Sequence, residues 1–231
     1  MNKTVTCIVP FLNEKERIGG VLKELVQVPS ITQIICVDGA SIDGGSDYVK
    51  SAFPTVELIT LPKNIGKTGT VKAGMEKAVG DYILLFDADL SSVKPNEVEA
   101  VLHEITTNPT IDMVIFNRTT PRIITKLNRF DLIYSGERVM KKADLALAIQ
   151  NATQFQLEIA LNTYMMRNKK NIYYFDASHT NLAKSKKLGF LDGVREDVKM
   201  FWQVCSFDPW NYFAQTLFFC RNKMPTSRLL A

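Results

Sequence analysis

Asp81-Tyr-Ile-Leu-Leu-Phe-Asp-Ala-Asp-Leu-Ser-Ser92 is the stretch on which the fold turns. Five apolar residues, Tyr82 to Phe86, end abruptly in two carboxylates, Asp87 and Asp89, one residue apart. A short apolar run bounded by charge predicts a strand buried on both faces, as in a parallel sheet. Carboxylates at its C-terminal end then stand where open α/β sheets bind ligands. Two Asp at i and i+2 on a chain leaving a sheet can share one hard divalent cation, directly or through water. Taken alone, such a pair is more often an acidic turn than a site. The neighbouring segments decide between the two.

Upstream, Thr4 to Leu12 is strand-like, and Asn13-Glu-Lys-Glu-Arg17 opens a helix. Ile18, Val21, Leu22 and Leu25 give that helix its apolar face, and Pro29 stops it. Ile31 to Val37 is a second strand, running into Asp38-Gly-Ala-Ser-Ile-Asp-Gly-Gly45. Val56 to Leu61 leads into Asn64-Ile-Gly-Lys-Thr-Gly69 and a helix through Val79. Downstream, a helix from Pro95 turns Val98, Val101, Leu102 and Ile105 inward, and Ile111 to Phe116 is another strand. This alternation predicts βαβ crossovers, an α/β fold and a mostly parallel sheet.

In such a sheet Pro10 to Glu14, Asp38 to Gly45, Asn64 to Lys67 and Asp87 to Asp89 emerge on one edge and line one crevice. Carboxylates there can accept hydrogen bonds from base N–H groups and ribose hydroxyls. The Asp pair can hold a metal against a diphosphate, and Lys67 can offset phosphate charge. Four ligand-competent loops in the right topological places favour a site over loop chemistry.

From residue 117 the rhythm changes. Arg118, Arg122, Lys126, Arg129, Arg138, Lys141 and Lys142 punctuate a helix-like stretch that breaks at Ser135-Gly136. Residues 153–168 look helical, Asn171 to Phe175 extended, Val194 to Cys205 an amphipathic helix, and Trp210 to Cys220 aromatic and apolar. With no linker or internal repeat, residues 1–231 are expected to form one domain.

Composition narrows the class. The chain is 46% hydrophobic and 23% charged, as an ordinary globular protein is, with a net charge of +4. The charge is uneven: residues 117–142 hold seven Lys/Arg against two acids, and residues 179–231 hold eight against four. A basic middle and tail beside an acidic N-terminal half suggest an anionic substrate or surface. No recognised nucleic-acid motif accompanies the charge, so nucleic acid is not expected as a partner. Cys7, Cys36, Cys205 and Cys220 make no C-x-x-C pair, which favours buried reduced thiols in a cytoplasmic protein. No apolar run reaches the ~18 residues of a membrane span. Two familiar motifs fail: Gly66-Lys67-Thr68 lacks the first P-loop glycine, its place being taken by Leu61, and Gly39, Gly44 and Gly45 do not make G-x-G-x-x-G.

Val9-Pro-Phe-Leu-Asn-Glu14, Val37-Asp-Gly-Ala-Ser-Ile-Asp-Gly44, Asn64-Ile-Gly-Lys67 with Gly74, and Asp87-Ala-Asp-Leu90 stand in the order of a known signature. In these the chain resembles the family 2 glycosyltransferases with the GT-A fold. The resemblance continues to Ser135-Gly-Glu-Arg-Val-Met140, Leu157-Glu-Ile-Ala-Leu-Asn162 and His179. The polyprenyl-phosphate glycosyltransferases and the glucosyl-3-phosphoglycerate synthase type are the most similar branches. Gly39 stands where the family usually has a second Asp, and Thr68 where it has Gly.

The resemblance implies that Pro10, Asn13, Glu14 and Asp38 hold the nucleoside of a UDP- or GDP-sugar donor. Lys67 and Ala88 would face the nucleotide sugar. Asp87, Asp89 and His179 would bind Mg²⁺ or Mn²⁺, and Arg118 and Arg138 would meet a phosphate-bearing acceptor. Residues 1–116 become the nucleotide-sugar half and 117–231 the acceptor side. The reaction implied inverts the sugar, with Asp89, Arg138 and Glu158 as catalytic candidates, Glu158 being the base should the acceptor be a hydroxyl. A homodimer, and a peripheral contact with the cytoplasmic membrane face through Phe201, Trp202 and Trp210, are compatible with this reading. A sugar-nucleotide nucleotidyltransferase and a non-catalytic nucleotide-sugar-binding protein remain as alternatives.

Overall fold

Period-two alternation along each strand builds two cores on one sheet. In β1 (Val5–Phe11) Cys7 and Val9 face one core and Ile8 the other. The same split divides Leu84 from Ile83 and Leu85 in β4 (Tyr82–Leu85), every residue of which is buried. Burying a side chain of this size contributes on the order of 1.5–3 kcal/mol. The structure is a computed structural model, and it describes residues 3–118, 130–153, 156–181, 215 and 219–224.

One core is closed by α1 (Lys15–Leu25), α2 (Gly45–Ala52) and α4 (Pro95–Thr107), through the apolar faces read from sequence in α1 and α4 and through Val49 in α2. The other is closed by α3 (Gly66–Lys77), α5 (Lys142–Ala148) and α6 (Leu157–Arg167). Helix α3 lies very close to the sheet: a Cβ on Gly74 would stand 2.8 Å from Ile8 Cγ2. Glycine there permits the approach.

The strands β1, β2 (Ile31–Asp38), β3 (Glu57–Thr60), β4, β6 (Met113–Arg118), β7 (Arg138–Lys141), β8 (Ile172–Ala177) and β10 (Asn222–Lys223) form one sheet of order β10-β8-β6-β7-β4-β1-β2-β3. All neighbours pair in parallel except β7, which runs antiparallel between β4 and β6. This corrects the helix-like reading of the segment around Ser135-Gly136. Four residues are too few to display alternation in sequence, yet β7 satisfies the open edges of two buried strands. Helix α2 is a second element that the sequence reading passed over.

A separate two-stranded ribbon joins β5 (Leu90–Ser91) to β9 (Thr180–Asn181), with Leu90 opposite Asn181 and Ser91 opposite Thr180. It ties the chain just after Asp89 to the chain just after His179. Cys7 and Cys36 are free and buried, and Cys220 is buried. Among the described residues no helix is long and apolar enough to cross a membrane. Arg122, Lys126, Arg129, the segment 194–205 expected to be helical, Phe201, Trp202 and Trp210 lie outside the described residues.

Candidate active site

Because β1 to β4 are parallel, the loops after them open on one edge of the sheet, as expected. At one end of this edge stands Asp38, 1% exposed at the end of β2. Its Oδ1 accepts from the Ser41 amide at 2.8 Å and the Ser41 hydroxyl at 2.5 Å, and its Oδ2 accepts from the Ser46 hydroxyl. Asn13, in the left-handed region at φ 55°, fastens the first loop to the second. Its amide donates to Ser41 Oγ at 2.9 Å, and its Oδ1 accepts from the Ile42 amide at 2.9 Å. Pro10 pairs with Val37 in register, and Glu14 opens α1 with its carbonyl while its carboxylate pairs with Arg17. Asp38 itself is met by uncharged hydrogen-bond donors.

The other end is ionic. Lys67, in the first turn of α3, places Nζ 2.7 Å from Asp87 Oδ1 and 2.8 Å from Glu158 Oε1. Arg118, at the end of β6, donates from Nη2 to Asp87 Oδ2 at 2.9 Å. The same guanidinium grips Glu137, Nε to Oε2 at 2.6 Å and Nη2 to Oε1 at 2.7 Å. Glu158, Lys67, Asp87, Arg118 and Glu137 therefore alternate in sign along one chain of contacts. Gly136 lies against it: a Cβ there would stand 2.5 Å from both Asp87 Oδ2 and Lys67 Nζ. Ala88 is buried beside the pair.

Burial alone would push the Asp87 carboxyl up, but Lys67 and Arg118 outweigh it and hold the group well below the usual carboxylate range. Glu137 behaves oppositely. Complete burial, and then Asp87 nearby, raise its carboxyl above the ordinary value despite Arg118. Burial works against the charge on Lys67 too, yet Asp87 and Glu158 leave its ammonium held more firmly than usual.

His179 is 1% exposed, its ring centroid 5.6 Å from Phe86 and 6.0 Å from Phe116. Burial, with Arg118 adding to it, lowers its pKa to about 4, and its Nε2 is buried without a hydrogen-bond partner. The preceding residue is pinned by Glu97 of α4, which accepts from the Ser178 amide at 2.8 Å and from the Ser178 hydroxyl. Among the described residues, however, no three His, Cys, Asp or Glu side chains stand together as a metal-binding group. Asp87, Asp89 and His179 are thus neighbours around one strand end, and are not assembled around a point.

Arg138 is placed differently from Arg118. It is 0% exposed in β7, with Nε 3.0 Å from the Ser135 carbonyl, Nη2 on the same carbonyl, and Nη1 2.8 Å from Asn162 Oδ1. Asn162 in turn donates to the Ile133 carbonyl and to Gln215, each at 3.0 Å. The fork expected at the acceptor belongs here to a buried scaffold behind the crevice.

Four contributors went unassigned from sequence. Glu137, Gly136 and Asn162 lay within quoted stretches without a role of their own, and Glu97 was not singled out. Only their three-dimensional neighbours give them roles.

Residues 6–182 match the family model described as glycosyl transferase family 2. The chain belongs to this family. Among its curated relatives are a dolichyl-phosphate beta-glucosyltransferase of Trichomonas vaginalis and an undecaprenyl-phosphate 4-deoxy-4-formamido-L-arabinose transferase of Pectobacterium carotovorum. The first is 34% identical over 142 residues, 55% of this chain and 42% of the relative. The second is 29% identical over 104 residues, 42% of this chain and 32% of the relative. The chain thus matches less than half the length of either. Among solved structures, the family 2 fold is shared by glucosyl-3-phosphoglycerate synthase from Mycobacterium tuberculosis in complex with phosphoglyceric acid. That likeness has a TM-score of 0.71 at 17% identity, over 88% of this chain and 80% of the other. A structure of the same enzyme with Mn²⁺, UDP-glucose and phosphoglyceric acid gives 0.69 at 17% identity, over 88% and 79%. At that identity the likeness is one of fold.

Proposed function

We propose that this family 2 chain transfers a sugar, with inversion, from a nucleoside-diphosphate sugar to a phosphate-bearing acceptor. The observation that carries the reading is the meeting of Asp87, Lys67, Arg118, Glu137 and Glu158 at the strand ends, beside the hydrogen-bonding pocket of Asp38. The relatives' names, lipid phosphates in two and phosphoglyceric acid in the structural neighbour, supply the acceptor class.

Charge tests whether a divalent metal fits. Lys67, Arg118 and Arg138 are each met by carboxylates or carbonyls, so none of these three is a surplus positive charge waiting for a diphosphate. Hard carboxylate oxygens on Asp87 and Asp89, with a buried imidazole nitrogen lacking a partner, suit Mg²⁺ or Mn²⁺. Bound there, such an ion would act as a Lewis acid on the departing diphosphate.

The chain's own residues supply the rest. The Asp38, Asn13 and Ser41 loops bind and orient the nucleoside, and Lys67 offsets phosphate charge. The bond from sugar C1 to the diphosphate oxygen breaks as an acceptor oxygen bonds to C1 from the opposite face. A phosphate oxygen attacks already ionised and needs no base. A hydroxyl would need one, and Glu158, 2.8 Å from Lys67, is the carboxylate at hand. On this reading Arg118, at this end of the crevice, meets the acceptor phosphate.

Incubation with UDP-glucose or GDP-mannose, Mn²⁺, and either 3-phosphoglycerate or a short polyprenyl phosphate tests the reading. Free nucleoside diphosphate with glycosylated acceptor is expected. Pyrophosphate release, or binding without turnover, would refute it.

A further inference from the structure

Asp87 has two counter-ions, and they are held in different ways. Arg118 is locked: two of its nitrogens bond Glu137 at 2.6 and 2.7 Å, the Glu137 side chain is 0% exposed, and Ser135 Oγ holds that carboxylate from another side at 3.0 Å. Moving Arg118 would strand Glu137 as a buried charge. Lys67 is a single amine on a flexible stem, its side chain 23% exposed, suspended between Asp87 at 2.7 Å and Glu158 at 2.8 Å. It can leave Asp87 and keep a carboxylate.

Both Asp87 oxygens are covered, Oδ1 by Lys67 and Oδ2 by Arg118. A divalent ion drawn to Asp87 would stand against two cations already on that carboxylate, and Lys67 is the one that can move away. From these contacts we infer that Lys67 is an exchangeable counter-ion, competing with the metal for Asp87 and yielding that carboxylate as a donor diphosphate arrives to receive its Nζ. This rests on the glycosyltransferase reading above. No covalent bond changes and no proton moves: the ammonium exchanges a carboxylate partner for a phosphate one while a dication takes its former place.

The consequence is a coupling. Metal alone must displace Lys67 toward Glu158, whereas metal arriving with a nucleoside diphosphate gives Lys67 a new anion. Nucleotide must then tighten metal binding, and metal must tighten nucleotide binding by the same factor. A lysine that merely touches phosphate would produce no such effect on metal binding in the absence of nucleotide.

The test is Mn²⁺ binding by the full chain, read from the electron paramagnetic resonance signal of free Mn²⁺, alone and with UDP or GDP. Lys67→Gln is expected to bind Mn²⁺ alone tighter than wild type by a factor of about 5 to 100, and to lose a similar factor from the nucleotide enhancement. Lys72→Gln removes the same charge five residues along α3, where Lys72 Nζ bonds the Gln150 and Ala152 carbonyls, and should leave Mn²⁺ binding unchanged. Glu158→Gln leaves Lys67 more firmly on Asp87, so Mn²⁺ alone should bind more weakly and the nucleotide enhancement should grow. This second variant carries the test if Lys67→Gln does not fold. Unchanged or weaker Mn²⁺ binding in folded Lys67→Gln overturns the proposal, as does an equal gain in Lys72→Gln or a smaller enhancement in Glu158→Gln. If wild type takes up no Mn²⁺ with either nucleotide, the donor-site reading falls first and the proposal with it.

Discussion

Asp38 and Asp87 each stand at or just past the C-terminal end of a central strand, yet one is surrounded by hydroxyls and an amide and the other by cations. The difference follows from what each loop can offer. The loop after β2 carries Ser41 and Ser46 within reach of Asp38, short uncharged side chains whose hydroxyls donate to the carboxylate and hold a turn. The loop after β4 has no such donors of its own, and Asp87 is reached from α3 and β6 by long cationic side chains. On the function proposed above, one end suits an uncharged part of a ligand and the other the part that carries and loses charge. A hydrogen bond from a neutral donor to a carboxylate contributes roughly 1.5–3 kcal/mol, and Asp38→Asn keeps most of it, whereas orphaning one member of a buried ion pair costs about 3–5 kcal/mol, so the ends should respond unequally to mutation.

The largest effect is expected at Asp87. In Asp87→Asn, Lys67 and Arg118 lose a shared anion in a site where the three side chains are 17–23% exposed. Discounted for that exposure, unfolding in urea should show a loss of about 2–4 kcal/mol, with transfer reduced by a hundredfold or more. A loss below 1 kcal/mol would mean that the cations are solvated well enough to do without Asp87, and the contrast between the ends would collapse.

His179 sharpens the contrast by pH. Its ring stays neutral to about 4, while the same group ordinarily titrates near 6.5. Between these values the unfolded chain binds more protons, so this group makes stability rise with pH. The contribution is complete above 6.5 and is lost as pH falls through about 4. It amounts to about 3 kcal/mol, at ~1.4 kcal/mol per pH unit. Glu137, raised by burial, acts with the opposite sign and is present in both proteins when wild type is compared with His179→Gln. Between pH 7.5 and 4.5 wild type should lose about 2–3 kcal/mol more than the variant. Parallel pH curves would show that His179 is not held neutral.

Arg138 tests how far the ionic end extends. Arg138→Lys keeps the charge and loses the planar fork on the Ser135 carbonyl and Asn162. A stability loss of about 1.5–3 kcal/mol is expected, with donor affinity and acceptor KM moving little in the folded fraction. Should acceptor KM rise sharply while stability holds, Arg138 belongs to the crevice after all.

Much of this was legible in the sequence. The apolar runs ending at Leu12, Val37 and Phe86 announced parallel strands, and their polar exits announced the crevice, because buried strands and ligand loops each have a composition of their own. Strand β7 was not legible: Arg-Val-Met-Lys is too short to show a period, and a fully buried arginine violates the usual inference from charge to surface. Glu137 escaped for the same reason. A carboxylate that neutralises a cation from a distant strand is defined by a contact across 19 residues, and local pattern does not report that. Arg118 and Arg138, alike in sequence, were separated only by the strand pleat and by the partners each one found.

The smallest effect is expected at the neutral end. Asp38→Asn keeps an oxygen for the Ser41 amide and hydroxyl and turns an NH₂ toward Ser46 Oγ, whose lone pairs can accept once its hydroxyl rotates. Shape is preserved and only the charge assistance goes, so stability should fall by about 1 kcal/mol, well under the Asp87→Asn loss. Binding is more telling. A nucleoside held by this loop should weaken together with its diphosphate, by a similar factor, because the altered group lies at the uncharged part of the ligand. Calorimetric titration with uridine or guanosine, and with UDP or GDP, measures both. If only the diphosphates weaken, Asp38 acts through the phosphates, and the division of the crevice into a neutral end and an ionic end is wrong.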